Sequence, residues 1–204
     1  MGVLGGEPIP VVAGRTLVVS AVERDSGALV RFASAAPPAH RLTARFRVVP
    51  PTVDHLMASA AIPLVFEPGS VASTAYWDGG LVANTPLPPA LAFEPDAVVV
   101  VTTSTRTRPA PAPRNLSQAI SLLLDDVLAF SLESDLARAE AVNELCRVAG
   151  ETPQRKLVDI LVIQPTGLDL GDGLSFDPAH ADALIGLGQE VGGKALDGWT
   201  ALHR

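Results

Sequence analysis

The chain has 204 residues, with 15 Lys and Arg against 22 Asp and Glu, a formal charge of −7 and an isoelectric point near 5.0. That balance argues against a nucleic-acid binder, which needs a basic face to replace counterions on phosphates. It leaves neutral and zwitterionic substrates open. Apolar residues at 48 % and charged residues at 18 % exclude a disordered chain, and the length fits one domain or a large piece of one. The single cysteine, Cys146, excludes an internal disulfide and sits in an apolar-periodic stretch, as a packed core residue does. No apolar run reaches the ~18–20 residues of a membrane span. The opening Met1 to Gly14 has no basic residue and lacks the layout of a signal peptide, so a cytoplasmic location is expected.

Leu17 to Glu23 and Ala28 to Phe32 are strand-like runs around Arg24-Asp25-Ser26-Gly27, which predicts a β-hairpin. Arg41 to Val49 can hold a further short strand before Pro50-Pro51. Thr52 reads as the N-cap of a short helix through Ala60, with Asp54 in its first turn and Pro63 beyond its end. Leu64 to Tyr76 reads as loop, with a turn at Pro68-Gly69. Trp77-Asp78-Gly79-Gly80 reads as a tight turn, and Thr85 to Pro89 as a Pro-rich lead into the apolar Ala90 to Phe93.

Ala97 to Val101 is continuous and β-branched, which suits a strand buried on both faces. Arg106 to Pro113 reads as an exposed loop. Leu116, Ile120, Leu123, Val127, Leu132, Leu136, Val142, Leu145 and Cys146 keep helical spacing. They predict one long helix, or two broken near Ser131, closed by Gly150. Lys156 to Gln164 reads as a strand. Asp177-Pro178 opens a last helix, with Asp as N-cap and Pro at the first helical position. The alternation is that of an α/β fold.

Two segments stand out together: Ala58-Ser59-Ala60-Ala61-Ile62-Pro63-Leu64-Val65-Phe66-Glu67-Pro68, and Tyr76-Trp77-Asp78-Gly79-Gly80-Leu81-Val82-Ala83-Asn84-Thr85-Pro86-Leu87. The pair resembles the patatin-like phospholipase family, in which an Ala-Ser segment with spaced prolines precedes an Asp-Gly-Gly or Asp-Gly-Ala motif and an Asn-x-Pro. The later Leu161 to Pro165 and Phe176-Asp177 also resemble the family's C-terminal section. The resemblance implies a three-layer α/β/α domain with a mixed sheet. Residues 1–204 are expected to be its C-terminal portion, with the N-terminal strands missing.

The same resemblance implies ester hydrolysis by a Ser–Asp dyad, with no cofactor and a lipid or other ester as substrate. A serine hydroxyl is a weak nucleophile and needs a positioned base. On this chain the carboxylate in that role is Asp78. Gly79 and Gly80 support the motif, since glycine reaches φ > 0 and lets chain or substrate approach closely. Tyr76 and Trp77 are placed to shield Asp78 from water, and desolvation raises a carboxyl's proton affinity. The bland alternative is an ordinary Asp-Gly turn, in which the carboxylate binds its own backbone.

The other half-site is not found. No serine lies in a Gly-x-Ser-x-Gly elbow; Gly69-Ser70 and Gly173-Leu174-Ser175 have the wrong glycine spacing. Gly5-Gly6-Glu7, followed by Pro8 and Pro10, offers few N–H donors for an oxyanion hole. The chain alone is therefore expected to be inactive. It either pairs with a separately encoded N-terminal half or is a non-catalytic remnant or interaction module; an unrelated α/β small-molecule binder is a weaker third reading. An exposed apolar face is expected where the missing section would pack, and peripheral membrane contact is left open.

Other candidates carry less. Asp54-His55 beside Ser59 suggests a triad, but Ser59 has no elbow glycines, and capping suits His55 better. Asp125, Asp126, Glu133 and Asp135 read as the solvated face of a helix. Gly171-Asp172-Gly173 and the glycines from Gly186 to Gly193 do not form a dinucleotide fingerprint. Arg106, Arg108 and Arg114 read as a solvated loop rather than a headgroup site.

Overall fold

A computed structural model describes residues 6–83, 85–102, 112–114, 116–164 and 177–202, with 116–129 described by their backbone. Gly5, Asn84, Arg106, Arg108, the Pro165 to Phe176 stretch and the side chains of Asp125 and Asp126 lie outside the described residues. The chain divides into two compact units, Met1–Pro95 with Phe130–Leu157, and Asp96–Ala129 with Val158–Arg204.

The first unit is built on a five-stranded mixed sheet. Its strands are β1 (Val18–Glu23), β2 (Leu29–Ala33), β3 (Phe46–Val48), β4 (Gly69–Val71) and β5 (Thr74–Asp78), in the order β3-β2-β1-β5-β4. The expected hairpin is present: β1 and β2 run antiparallel from Val18↔Ala33 to Val22↔Leu29, turned by Gly27 at φ 68°. β3 adds parallel to β2, and β5 adds antiparallel to β1. β1 is thus the central strand, which explains why four of its six residues are buried.

Helix α1 (Val53–Ser59) packs on β1, β4 and β5. It starts at Thr52, whose backbone N–H donates to His55 Nδ1 at 2.9 Å, a histidine version of the reach-back in a capping box. That bond uses the lone pair of Nδ1, and burial pushes the His55 pKa down, so the neutral ring suits the role. His55 therefore caps the helix and stacks edge-on to Phe32, at 4.5 Å between centroids. Ala21, Val30, Phe32, Ala58 and Tyr76 form the core beneath α1.

The stretch Leu64 to Tyr76, expected as loop, instead carries the β4–β5 hairpin. Its two-residue turn is Ala72-Ser73, at φ 47° and 65°. Both residues occupy the left-handed region that a tight hairpin turn demands. Two short helices, α2 (Gly80–Ala83) and α3 (Leu87–Leu91), follow where a turn and a Pro-rich lead were expected.

In the second unit β6 (Ala97–Val101) pairs in parallel with β7 (Asp159–Ile163), five residues in register. The expectation that β6 is buried on both faces is corrected. Val98 and Val100 are buried while Val99 and Val101 are exposed, because alternate side chains point to opposite faces and only one face is covered. Helix α4 (Leu116–Ala149) runs without the break considered near Ser131. It ends at Gly150, whose φ of 76° and N–H to the Cys146 carbonyl make the predicted C-cap; Cys146 is buried. Helix α5 (Pro178–Leu202) opens as expected, with Ala179 N–H donating to Asp177 Oδ1 at 3.0 Å.

Candidate active site

Asp78 is the last residue of β5 and lies opposite Ala21 of β1. Its position is set by main chain on three sides. The Asp78 N–H donates to the Ala61 carbonyl at 3.0 Å, which joins the two sequence segments singled out above. The next residue, Gly79, lies flat against β1, where a Cβ would come within 2.4 Å of the Ser20 carbonyl oxygen. The Gly79 carbonyl then accepts from the N–H groups of Val82 and Ala83, which starts α2.

The other segment is fitted in the same way. A Cβ on Gly69 would sit 2.4 Å from the Ala58 Cα, so β4 and α1 touch backbone to backbone. The small residues at 58, 69 and 79 are thus explained by contact distance. The reason offered for Gly79 and Gly80 from φ is corrected: neither is at positive φ, and Gly80 is the first residue of α2.

The Asp78 carboxylate accepts one hydrogen bond, from the Gly80 N–H to Oδ1 at 2.7 Å. This is the local Asx pattern of the bland reading. Burial raises the pKa of Asp78, and the Gly80 bond lowers it by less. Among the described residues no cation pairs with it.

The carboxylate lines a pocket of about 360 Å3, shared with Ser20, Leu56, Ser59, Gly80 and Ala83. Neither Tyr76 nor Trp77 lines it. Tyr76 is in the core, its hydroxyl 2.6 Å from Arg47 Nη1.

The sequence missed that two serines, Ser20 and Ser59, line the same pocket as Asp78. Strand alternation places Ser20 there, and no local signal marks it. Neither serine is flanked by glycine, and among the described residues neither is hydrogen-bonded to Asp78. The Asp54-His55-Ser59 triad is not assembled, since the ring nitrogen of His55 nearest the backbone is spent on Thr52.

A second pocket in this unit, about 440 Å3, is lined by His40, Glu94, Thr152 and Lys156 among others. Glu94 Oε1 accepts from Arg41 Nε at 3.0 Å and lies 2.8 Å from His40 Nε2. Lys156 Nζ donates to the Glu94 carbonyl at 2.9 Å. These partners hold the Glu94 carboxyl below its ordinary pKa, Arg41 foremost.

Among the described residues no three His, Cys, Asp or Glu side chains gather to hold a metal ion, and no helix is long and apolar enough to cross a membrane. A comparison with curated proteins gives no match. Residues 9–91, which run from ahead of β1 to the end of α3 and contain Asp78 with both motif segments, match the family model of the patatin-like phospholipases.

Proposed function

We propose that the chain supplies the carboxylate base of a Ser–Asp dyad for the hydrolysis of lipid acyl esters, and that the serine is provided from outside these 204 residues. The observation that supports this is the state of Asp78. Among the described residues it is a desolvated carboxylate with one hydrogen bond and no cation partner, and it lies at an open pocket. In the reaction, the serine oxygen bonds to the ester carbonyl carbon while its proton passes to Asp78. Asp78 then returns the proton to the departing alcohol, and water releases the acyl group by the same route. Gly79 and Gly80 keep side chains out of the approach to the carboxylate.

Two measurements test this. A serine-reactive fluorophosphonate leaves the isolated chain unlabelled; stoichiometric labelling at Ser20 or Ser59 would place the nucleophile inside it and sink the proposal. Co-expression with a Gly-x-Ser-x-Gly segment encoded directly upstream yields esterase activity that Asp78→Asn removes. A second reading, a non-catalytic remnant or interaction module, is favoured by the Asx bond from Gly80, which needs no catalysis to explain it. Persistent inactivity in the co-expressed pair selects that reading.

A further inference from the structure

The start of α1 carries an unusual residue for its task. The reach-back bond of a capping box is ordinarily made by Glu or Gln, and here it is made by His55. A glutamate in that place stays charged through the neutral range, and a glutamine never titrates. Histidine changes its charge between pH 5 and 8.

The geometry fixes what a proton would do. His55 Nδ1 lies 2.9 Å from both the backbone nitrogen and the Oγ1 of Thr52. As a lone pair it accepts from the Thr52 N–H. Once protonated it can donate only to the hydroxyl, and it then meets the Thr52 N–H donor to donor. The ring is 6 % exposed and edge-on to Phe32, so a positive charge there is also poorly hydrated.

Strands β1, β4 and β5 pack on α1, and β2 reaches the ring through Phe32. Among the described residues, the charged and titratable groups on these elements are Asp54, Glu23, Arg31, Tyr76 and Asp78. Arg47 of β3 lies over the Phe32 ring at 6.0 Å, and Glu7 precedes the Pro8 that bridges to Thr52. Of these, Asp54 alone favours the protonated ring, and burial outweighs it.

Helix α1 has seven residues, about two turns, so one cap is a large part of what holds it. It also forms a wall of the Asp78 pocket. Leu56 and Ser59 line that pocket, and the Ala61 carbonyl, two residues past α1, accepts from the Asp78 N–H at 3.0 Å.

We propose that the Thr52–His55 cap is an acid-sensitive latch: protonation of His55 unfastens the first turn of α1 and loosens the wall of the Asp78 pocket while the sheet stays folded. The latch belongs to the fold and does not depend on Asp78 serving as a base. Because the folded ring has a pKa below the ordinary value of about 6.5, the stability it contributes is complete above that value and is lost as pH falls through the folded one. Asp78 has the opposite sign, since its raised pKa adds stability on acidification. The loss from Glu94 falls in the lower range of carboxylates.

The experiment is amide hydrogen exchange of the full chain at about pH 7.5, 6.5 and 5.5, with each rate taken relative to the unstructured-chain rate at the same pH. Protection over residues 52–61 is expected to fall by about fivefold between 6.5 and 5.5, within the tenfold per pH unit that one proton allows, while β1 and β2 keep theirs. His55→Gln retains an acceptor for the Thr52 N–H and takes up no proton. It is expected to match the wild type at pH 7.5 and to stay flat on acidification. Nitrogen NMR of the wild-type ring decides the matter should that variant fold poorly: the neutral ring is expected as the Nε2–H tautomer, with a midpoint below the ordinary histidine value. Four outcomes would overturn the latch: protection of α1 that does not change with pH, the same fall in His55→Gln, a neutral ring protonated at Nδ1, or a ring midpoint at or above the ordinary value.

Discussion

Asp78 and Glu94 are carboxylates of the same compact unit, each beside a pocket, and their surroundings drive them in opposite directions. Glu94 is ion-paired: Arg41 and His40 crowd one oxygen and lower its pKa. Asp78 has a single backbone N–H, and burial raises its pKa. A carboxylate with charged partners is stabilised as an anion and makes a poor proton acceptor. One that is desolvated and lightly bonded pays for its charge and takes a proton readily. The pocket beside Glu94, at about 440 Å3, is larger than the one beside Asp78, at about 360 Å3, so it is the state of the carboxylate and not pocket size that distinguishes Asp78.

Ways to sharpen this contrast differ in expected size. The largest effect is Asp78→Asn in the co-expressed pair: a fall in ester hydrolysis of about 10²-fold or more, the scale of a lost general base, with KM little changed. Its stability should not fall. A carboxyl whose pKa is raised in the folded state contributes stability that is present at low pH and lost as pH rises through that value. At neutral pH the asparagine therefore removes an unfavourable charge while its amide oxygen still accepts from Gly80. A clear drop in Tm at pH 7 would break the comparison. Hydrolysis itself should decline on the acid side around a pKa above the ordinary carboxylate value of about 4, as Asp78 becomes protonated.

Next in size is Gly79→Ala. Its Cβ would be driven against the Ser20 backbone, with a cost of about 1–3 kcal/mol read by urea unfolding. A value near zero would mean the close contact is not a constraint. Tyr76→Phe removes the hydroxyl bonded to Arg47 and should cost about 0.5–1.5 kcal/mol while sparing the Asp78 pocket. The smallest effect is Glu94→Gln, where the partly exposed pairs are screened and Tm should move by no more than about 2 °C at pH 7. Its sign is opposite to that of Asp78. The lowered pKa gives stability that is present above the ordinary carboxylate value and lost as pH falls through the folded one.

Much of this was legible in the residues themselves. The β1–β2 hairpin, the start of α1, the Gly150 stop and the Asp177 cap follow from patterning and end signals that act locally. The β4–β5 hairpin was not legible, because Ala72-Ser73 adopts a turn usually written Asn-Gly, and tertiary contacts to α1 hold it there. Asp78 was readable from its motif. Its pocket was not, because Ser20 reaches it from 58 residues earlier through strand pairing that no local pattern encodes. The glycine at 79 was readable as a requirement, but its reason, contact with a strand far away in the chain, needed the fold.

The bracing of Asp78 has an evolutionary consequence. The neighbours that fix it, the Ala61 carbonyl, the Ser20 carbonyl and the Gly80 amide, are all peptide groups, which every residue type supplies. The side chains around the cavity are thereby released from holding the acid in place. On the dyad proposed above, Leu17, Leu56 or Pro86 could change to suit a different ester while the peptide groups that hold Asp78 stay as they are, so preference would diverge independently of the proposed base.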